Sequence, residues 1–112
     1  MKHNIQYSPK AEGDLDEIWD YISSELCNPR AAQNTINRIL DRVDQLEDFP
    51  QLGAALSSVI DVESEYRFLV CGNYIVFYRI FEQDVYVDRV LYGKRNYLRI
   101  LFQKLTREPM DD

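Results

Sequence analysis

A single histidine and two cysteines leave this 112-residue chain little with which to build a metal centre. His3 lies near the N-terminus, so a zinc site or a Ser-His-Asp machine lacks its central group. Cys27 and Cys71 are far apart and in no metal-like spacing. In a reducing compartment they are expected to be free and mostly buried thiols. No apolar run approaches the ~20 residues that span a bilayer. The opening Met1–Tyr7 has no apolar core of the secretory kind. The expectation is a cytoplasmic protein that does not engage a membrane. Glycine and proline number four each, with no repeat and no phosphate-cradling glycine loop. Nothing calls for a cofactor or a metal.

What is present is enough to fold. The chain is 46% hydrophobic and 12% aromatic, well above the disordered regime. Its length suits one domain, expected over residues 1–105, with 106–112 a frayed tail. The net charge of −6 hides an uneven spread. Residues 1–65 hold 5 Lys/Arg against 13 Asp/Glu, whereas residues 66–107 hold 8 against 3. A basic second half on an acidic scaffold attracts phosphates or acidic protein segments.

His3–Tyr7 alternates as a short strand. Ser8-Pro9 and Asn28-Pro29 each supply a capping side chain followed by a proline at the first helical position. The first helix is expected to run to about Leu26, with Ala11, Leu15, Ile18, Trp19, Ile22 and Leu26 on one stripe. The second runs to about Asp48, with Ala32, Ile36, Ile39, Leu40, Val43 and Leu46 facing inward. The tight connection makes them an antiparallel hairpin. Residues 50–65 read as a loop with at most one short turn. Strands follow at Tyr66–Cys71, Tyr74–Phe81 and Val85–Tyr92, separated by Gly72-Asn73 and Glu82-Gln83-Asp84. A terminal helix is expected from Asn96 to about Leu105. The predicted fold is α+β in two layers, in βααβββα order, with an antiparallel sheet covered on one face by the helical hairpin.

The middle strand is apolar on both parities: Tyr74, Val76, Tyr78 and Ile80 on one, Ile75, Phe77, Arg79 and Phe81 on the other. The hairpin covers one face only. Part of the other needs the terminal helix or a partner chain as cover, unless β-propensity alone selects its aromatic residues. Arg67 is expected on the parity of Leu69 and, across the hairpin, beside Ile75, Phe77 and Arg79. Arginine forks suit phosphate or carboxylate. Arg79 and Arg89 are expected to pair with Asp88, Glu82 or the acidic helices. Lys94 and Arg95, at the turn after the last strand, are better placed for a ligand. The acidic run Asp14, Asp16, Glu17 and Asp20 reads as a solvated helix face rather than a metal site, and Trp19 as core. The strand-half tyrosines suit half-buried sheet positions as well as base stacking.

Tyr66-Arg67-Phe68, the stretch from Gly72 to Ile80, and Val87-Asp88-Arg89-Val90-Leu91-Tyr92-Gly93-Lys94-Arg95-Asn96-Tyr97 together resemble the RelE/ParE toxin superfamily. The N-terminal Tyr7-Ser8-Pro9-Lys10-Ala11 and Ile18-Trp19 fit as well, so the resemblance covers about residues 3–102. Tyr92 and Asn96 depart from the family's usual His and Asp. The resemblance implies the toxin half of a bacterial type II toxin–antitoxin module that inhibits growth. It implies an antitoxin whose C-terminal segment wraps the toxin, with operator DNA reached only through that antitoxin.

One branch of the superfamily cuts mRNA on the ribosome, using basic residues on the sheet to stabilise the transition state. Arg67 and Arg95 match two of those positions, with Lys94 and Tyr97 nearby, whereas Leu69 and Ile75 stand at two others. The ParE-like branch lacks the cluster and poisons DNA gyrase by protein contact, and Arg89–Arg95 is closer to that branch. A third possibility is a degenerate, non-toxic co-repressor. The residues expected to meet target or antitoxin are Arg67, Leu69, Ile75, Phe77, Arg79, Tyr92, Lys94, Arg95 and Arg99.

Overall fold

Two proline-led helix starts open the helical layer. The Ser8 hydroxyl accepts from the Ala11 amide at 3.0 Å, and the Asn28 carboxamide oxygen accepts from Ala31 at 3.1 Å. In a computed structural model that describes residues 2–58 and 64–93, these caps start α1 (Pro9–Asp20) and α2 (Pro29–Asp44). A π turn, Tyr21–Glu25, prolongs α1, and the chain leaves it through Cys27 in a left-handed conformation (φ 52°). Leu26, expected on the inner stripe, is therefore exposed. A 3-10 turn, Gln45–Glu47, ends α2.

The strands are β1 (Asn4–Tyr7), β2 (Ala54–Ala55), β3 (Arg67–Cys71), β4 (Tyr74–Phe81) and β5 (Asp84–Tyr92). A 3-10 turn, Leu56–Ser58, follows β2. The sheet order is β1-β5-β4-β3-β2. β3, β4 and β5 form the expected antiparallel meander. Two features correct the expectation. The sheet is mixed, because β1 runs parallel to β5 along its outer side. And β2, inside the expected loop, adds an antiparallel edge to β3. The predicted terminal helix, residues 96–105, and the tail lie outside the described residues.

The principal core lies between helices and sheet. Ala11, Ile18, Ile22, Ala32, Ile39, Val43 and Leu46 pack on Leu69, Cys71, Val76, Tyr78, Val85, Val87 and Val90. A second, smaller cluster lies on the opposite face: Leu56, Phe68, Ile75 and Phe77, flanked by Tyr66 and Leu91. The apolar surplus of β4 thus has its own cover over half its length. Among the described residues no helix is long and apolar enough to cross a membrane.

Candidate functional site

The two-residue turn at Gly72-Asn73 sets the phase of everything around it. Cys71 pairs with Tyr74, and counting outwards Leu69 meets Val76 and Arg67 meets Tyr78. Directly opposed residues share a face. Arg67 and Leu69 therefore belong to the helix side, with Phe68 and Val70 opposite Phe77 and Ile75 on the other. This corrects the expectation that Arg67 stands beside Ile75, Phe77 and Arg79. The phase error follows from period-2 side-chain alternation, where a shift of one residue exchanges the faces.

On the helix side Arg67 serves the backbone. Its Nη2 donates to the Gly53 carbonyl at 2.7 Å and to the Gln51 carbonyl at 3.2 Å. Beside it the fully buried Tyr78 hydroxyl accepts from the Gly53 amide at 3.0 Å and donates to the Pro50 carbonyl at 2.8 Å. Two side chains from adjacent strands thereby clamp residues 50–53. Leu69 is buried in the principal core, and Ile75 and Phe77 in the second cluster.

At the end of the second face away from that cluster, no described residue covers Phe81, which is exposed. Arg79 Nε donates to Asp88 Oδ2 at 3.0 Å. Its guanidinium lies 5.7 Å from the Tyr66 ring centroid and 5.8 Å from that of Tyr86. Burial, then the hydrogen bond with Asp88, pushes the Tyr66 hydroxyl above its ordinary range. The Asp84 carboxylate does the same to Tyr86, whose hydroxyl donates to it at 3.3 Å. A bulge in β5 makes this arrangement possible. Phe77 pairs with Arg89 and Tyr78 with Val87, so Asp88 has no opposite number and leans to Arg79.

Past the bulge Arg89 reaches the other layer. Its Nε and Nη2 donate to the two oxygens of Asp14 on α1 at 2.8 and 2.9 Å, and the Val90 amide donates to the same carboxylate at 2.9 Å. Both arginine pairs agree in kind with the expected Asp88 and acidic-helix partners. Asp14 departs from the expectation of a solvated face. Its signal was spacing: it falls three residues after Ala11 and four before Ile18, inside the apolar stripe, and it is only 8% exposed. Asp16 and Asp20 are exposed.

Of the anticipated contact residues, Arg79 and Tyr92 show substantial exposure, Tyr92 stacking edge-on against Tyr74 at 5.5 Å. Lys94, Arg95, Tyr97 and Arg99 lie outside the described residues. Cys71 is buried, which pushes its thiol up, and Cys27 is exposed, against the expectation of two buried thiols. Among the described residues no group of histidines, cysteines and carboxylates could hold a metal ion.

In overall shape the chain is similar to a protein of the chromosomal ParDE toxin–antitoxin system of P. aeruginosa, with a TM-score of 0.69 and 21% identity over 82% of this chain and 97% of that one. It is also similar to a chain of the RelBE2 toxin–antitoxin complex of Mycobacterium tuberculosis, with a TM-score of 0.60 and 15% identity over 85% and 95%. No curated protein matches it in sequence. The family model for the ParE toxin of the type II toxin–antitoxin system parDE matches residues 5–97. With nearly the whole described fold inside that match, the chain belongs to the ParE toxin family of type II toxin–antitoxin systems.

Proposed function

We propose that this toxin acts in the cytoplasm by contact with DNA gyrase, that a cognate antitoxin holds it inactive, and that it reaches operator DNA only through that antitoxin. The observation that carries the choice of target is the state of Arg67. An arginine that stabilises a cleaving phosphate must turn its guanidinium to the substrate. Here it faces two backbone carbonyls in the loop before β2. Leu69 and Ile75, where the nuclease branch carries charge, are buried apolar side chains. A set of basic groups converging on an RNA phosphate is thus missing from the described sheet. Action by protein contact needs none.

The test is a supercoiling assay with purified gyrase beside a translating extract with a reporter mRNA. Micromolar toxin is expected to block supercoiling while the mRNA stays intact. Normal supercoiling at that concentration sinks the gyrase reading, and ribosome-dependent cutting of the mRNA replaces it with the nuclease one. Normal growth on induction without antitoxin would point to the degenerate co-repressor.

A further inference from the structure

We propose that the open half of the second sheet face, around Phe81, Arg79 and Tyr86, seats a cationic segment of the antitoxin that also carries apolar side chains; this rests on the toxin–antitoxin reading above. The face is divided. Near the Gly72-Asn73 turn, Leu56, Phe68, Ile75 and Phe77 bury one another. At the far end Phe81 is 61% exposed, opposite Asp84 in the register, with Arg79 opposite Tyr86 one step in. Aromatic rings and an arginine on a rigid strand pair are the usual anchors of a protein interface.

The sign of the partner follows from the surroundings of Arg79. Its charge is answered within the face by Asp88 at 3.0 Å and flanked by two tyrosine rings. Glu65 lies close enough to act on both Tyr66 and Arg79, and Glu82 and Asp84 act on Tyr86. Asp88 and Glu65 thus act on Arg79, and Asp84 and Glu82 on the neighbouring Tyr86, so carboxylates outnumber the arginine on this part of the face. Such a surface repels nucleic-acid phosphates. It attracts lysine or arginine, which the carboxylates pair with and the Tyr86 and Phe81 rings accept on their faces. An interleaved apolar side chain would cover Phe81. The partner that the toxin–antitoxin reading supplies is the antitoxin, and the charge pattern selects its cationic stretch.

The test uses the full-length toxin and the protein encoded by the reading frame adjoining its gene, with binding followed by calorimetry. The double variant Glu65→Lys/Asp84→Lys is expected to weaken binding at least tenfold, and Phe81→Ala several-fold. Asp16→Lys, on the exposed side of α1, is expected to bind like wild type. Raising salt from about 0.05 to about 0.3 M should weaken wild type more than the double variant, since screening acts on the charge pairs it retains. If the double variant does not fold, Phe81→Ala carries the test, because an exposed side chain contributes little to the core. Wild-type affinity in both the folded double variant and Phe81→Ala overturns the proposal. So does loss of gyrase inhibition with antitoxin binding intact, which would assign the face to the target. Failure of the unaltered pair to bind at all overturns the toxin–antitoxin reading and this proposal with it.

Discussion

Arg67 and Tyr78 show how one side chain can be legible in identity and illegible in role. Both occur in stretches that resemble the toxin superfamily, and an arginine there invites a phosphate. The register sends Arg67 to the helix side, where it and Tyr78 hold the carbonyls of Pro50, Gln51 and Gly53. No local pattern in Arg67's own strand reports those partners, which lie 14 and 16 residues upstream in a segment read as loop. Gly53 is the tightest point. A Cβ there would run into the Phe68 carbonyl oxygen and the Tyr78 hydroxyl. Gly53→Ala is therefore expected to destabilise by about 2 kcal/mol, through overpacking and the displaced hydroxyl. Arg67→Ala should cost a similar amount, because two carbonyls lose a charged donor. Urea unfolding checks both. A wild-type midpoint for Gly53→Ala would mean that the loop adjusts freely and that the clamp has no stiffness.

At the scale of elements, the starts of helices and strands were readable and their partners less so. Ser8-Pro9, Asn28-Pro29 and Gly72-Asn73 act within three or four residues, so the helical hairpin and the first β-hairpin could be placed directly. The parallel pairing of β1 with β5 joins residues 80 apart, and nothing local encodes it. The link between α1 and β5 is of the same kind. Asp14 receives two donors from Arg89 and the Val90 amide, 75 and 76 residues on. The fork-to-carboxylate geometry is the strong form of ion pair, and it spans the two layers just past the β5 bulge. Asp14→Ala leaves the Arg89 guanidinium, 26% exposed, and a buried amide without an acceptor. The expected loss is about 3 kcal/mol, at the lower end for a broken buried pair because Arg89 keeps some water. Asp14→Asn keeps an acceptor for Val90 but loses the charge, so it should fall between. Thermal melts of the three proteins give the order. Equal melting of Asp14→Ala and wild type would show that packing alone joins α1 to β5.

Over the whole molecule, the charge asymmetry seen along the chain becomes one of surfaces. The outer side of α1 and the π turn presents Glu12, Asp16, Glu17, Asp20 and Glu25, with Lys10 the basic residue of that stretch. Two of the arginines in the strands are already matched, Arg79 by Asp88 and Arg89 by Asp14. Their charge is not available to offset the helical carboxylates. The folded domain thus concentrates like charges that the extended chain keeps apart, and the compact state bears the self-repulsion. Screening relieves it at exposed positions and leaves the half-buried pairs largely intact. Adding salt from about 0.02 to about 0.15 M is therefore expected to raise the melting temperature by about 3 °C, a gain of under about 1 kcal/mol for a domain of this size. The double variant Glu17→Lys/Asp20→Lys should melt higher at low salt and respond less to added salt. A melting temperature that falls with salt would mean that the matched pairs outweigh the repulsion. The same measurement bears on the antitoxin, because a partner drawn to the separate carboxylates beside Arg79 and Tyr86 should raise the melting temperature most at low salt, where that attraction is strongest and the free toxin least stable.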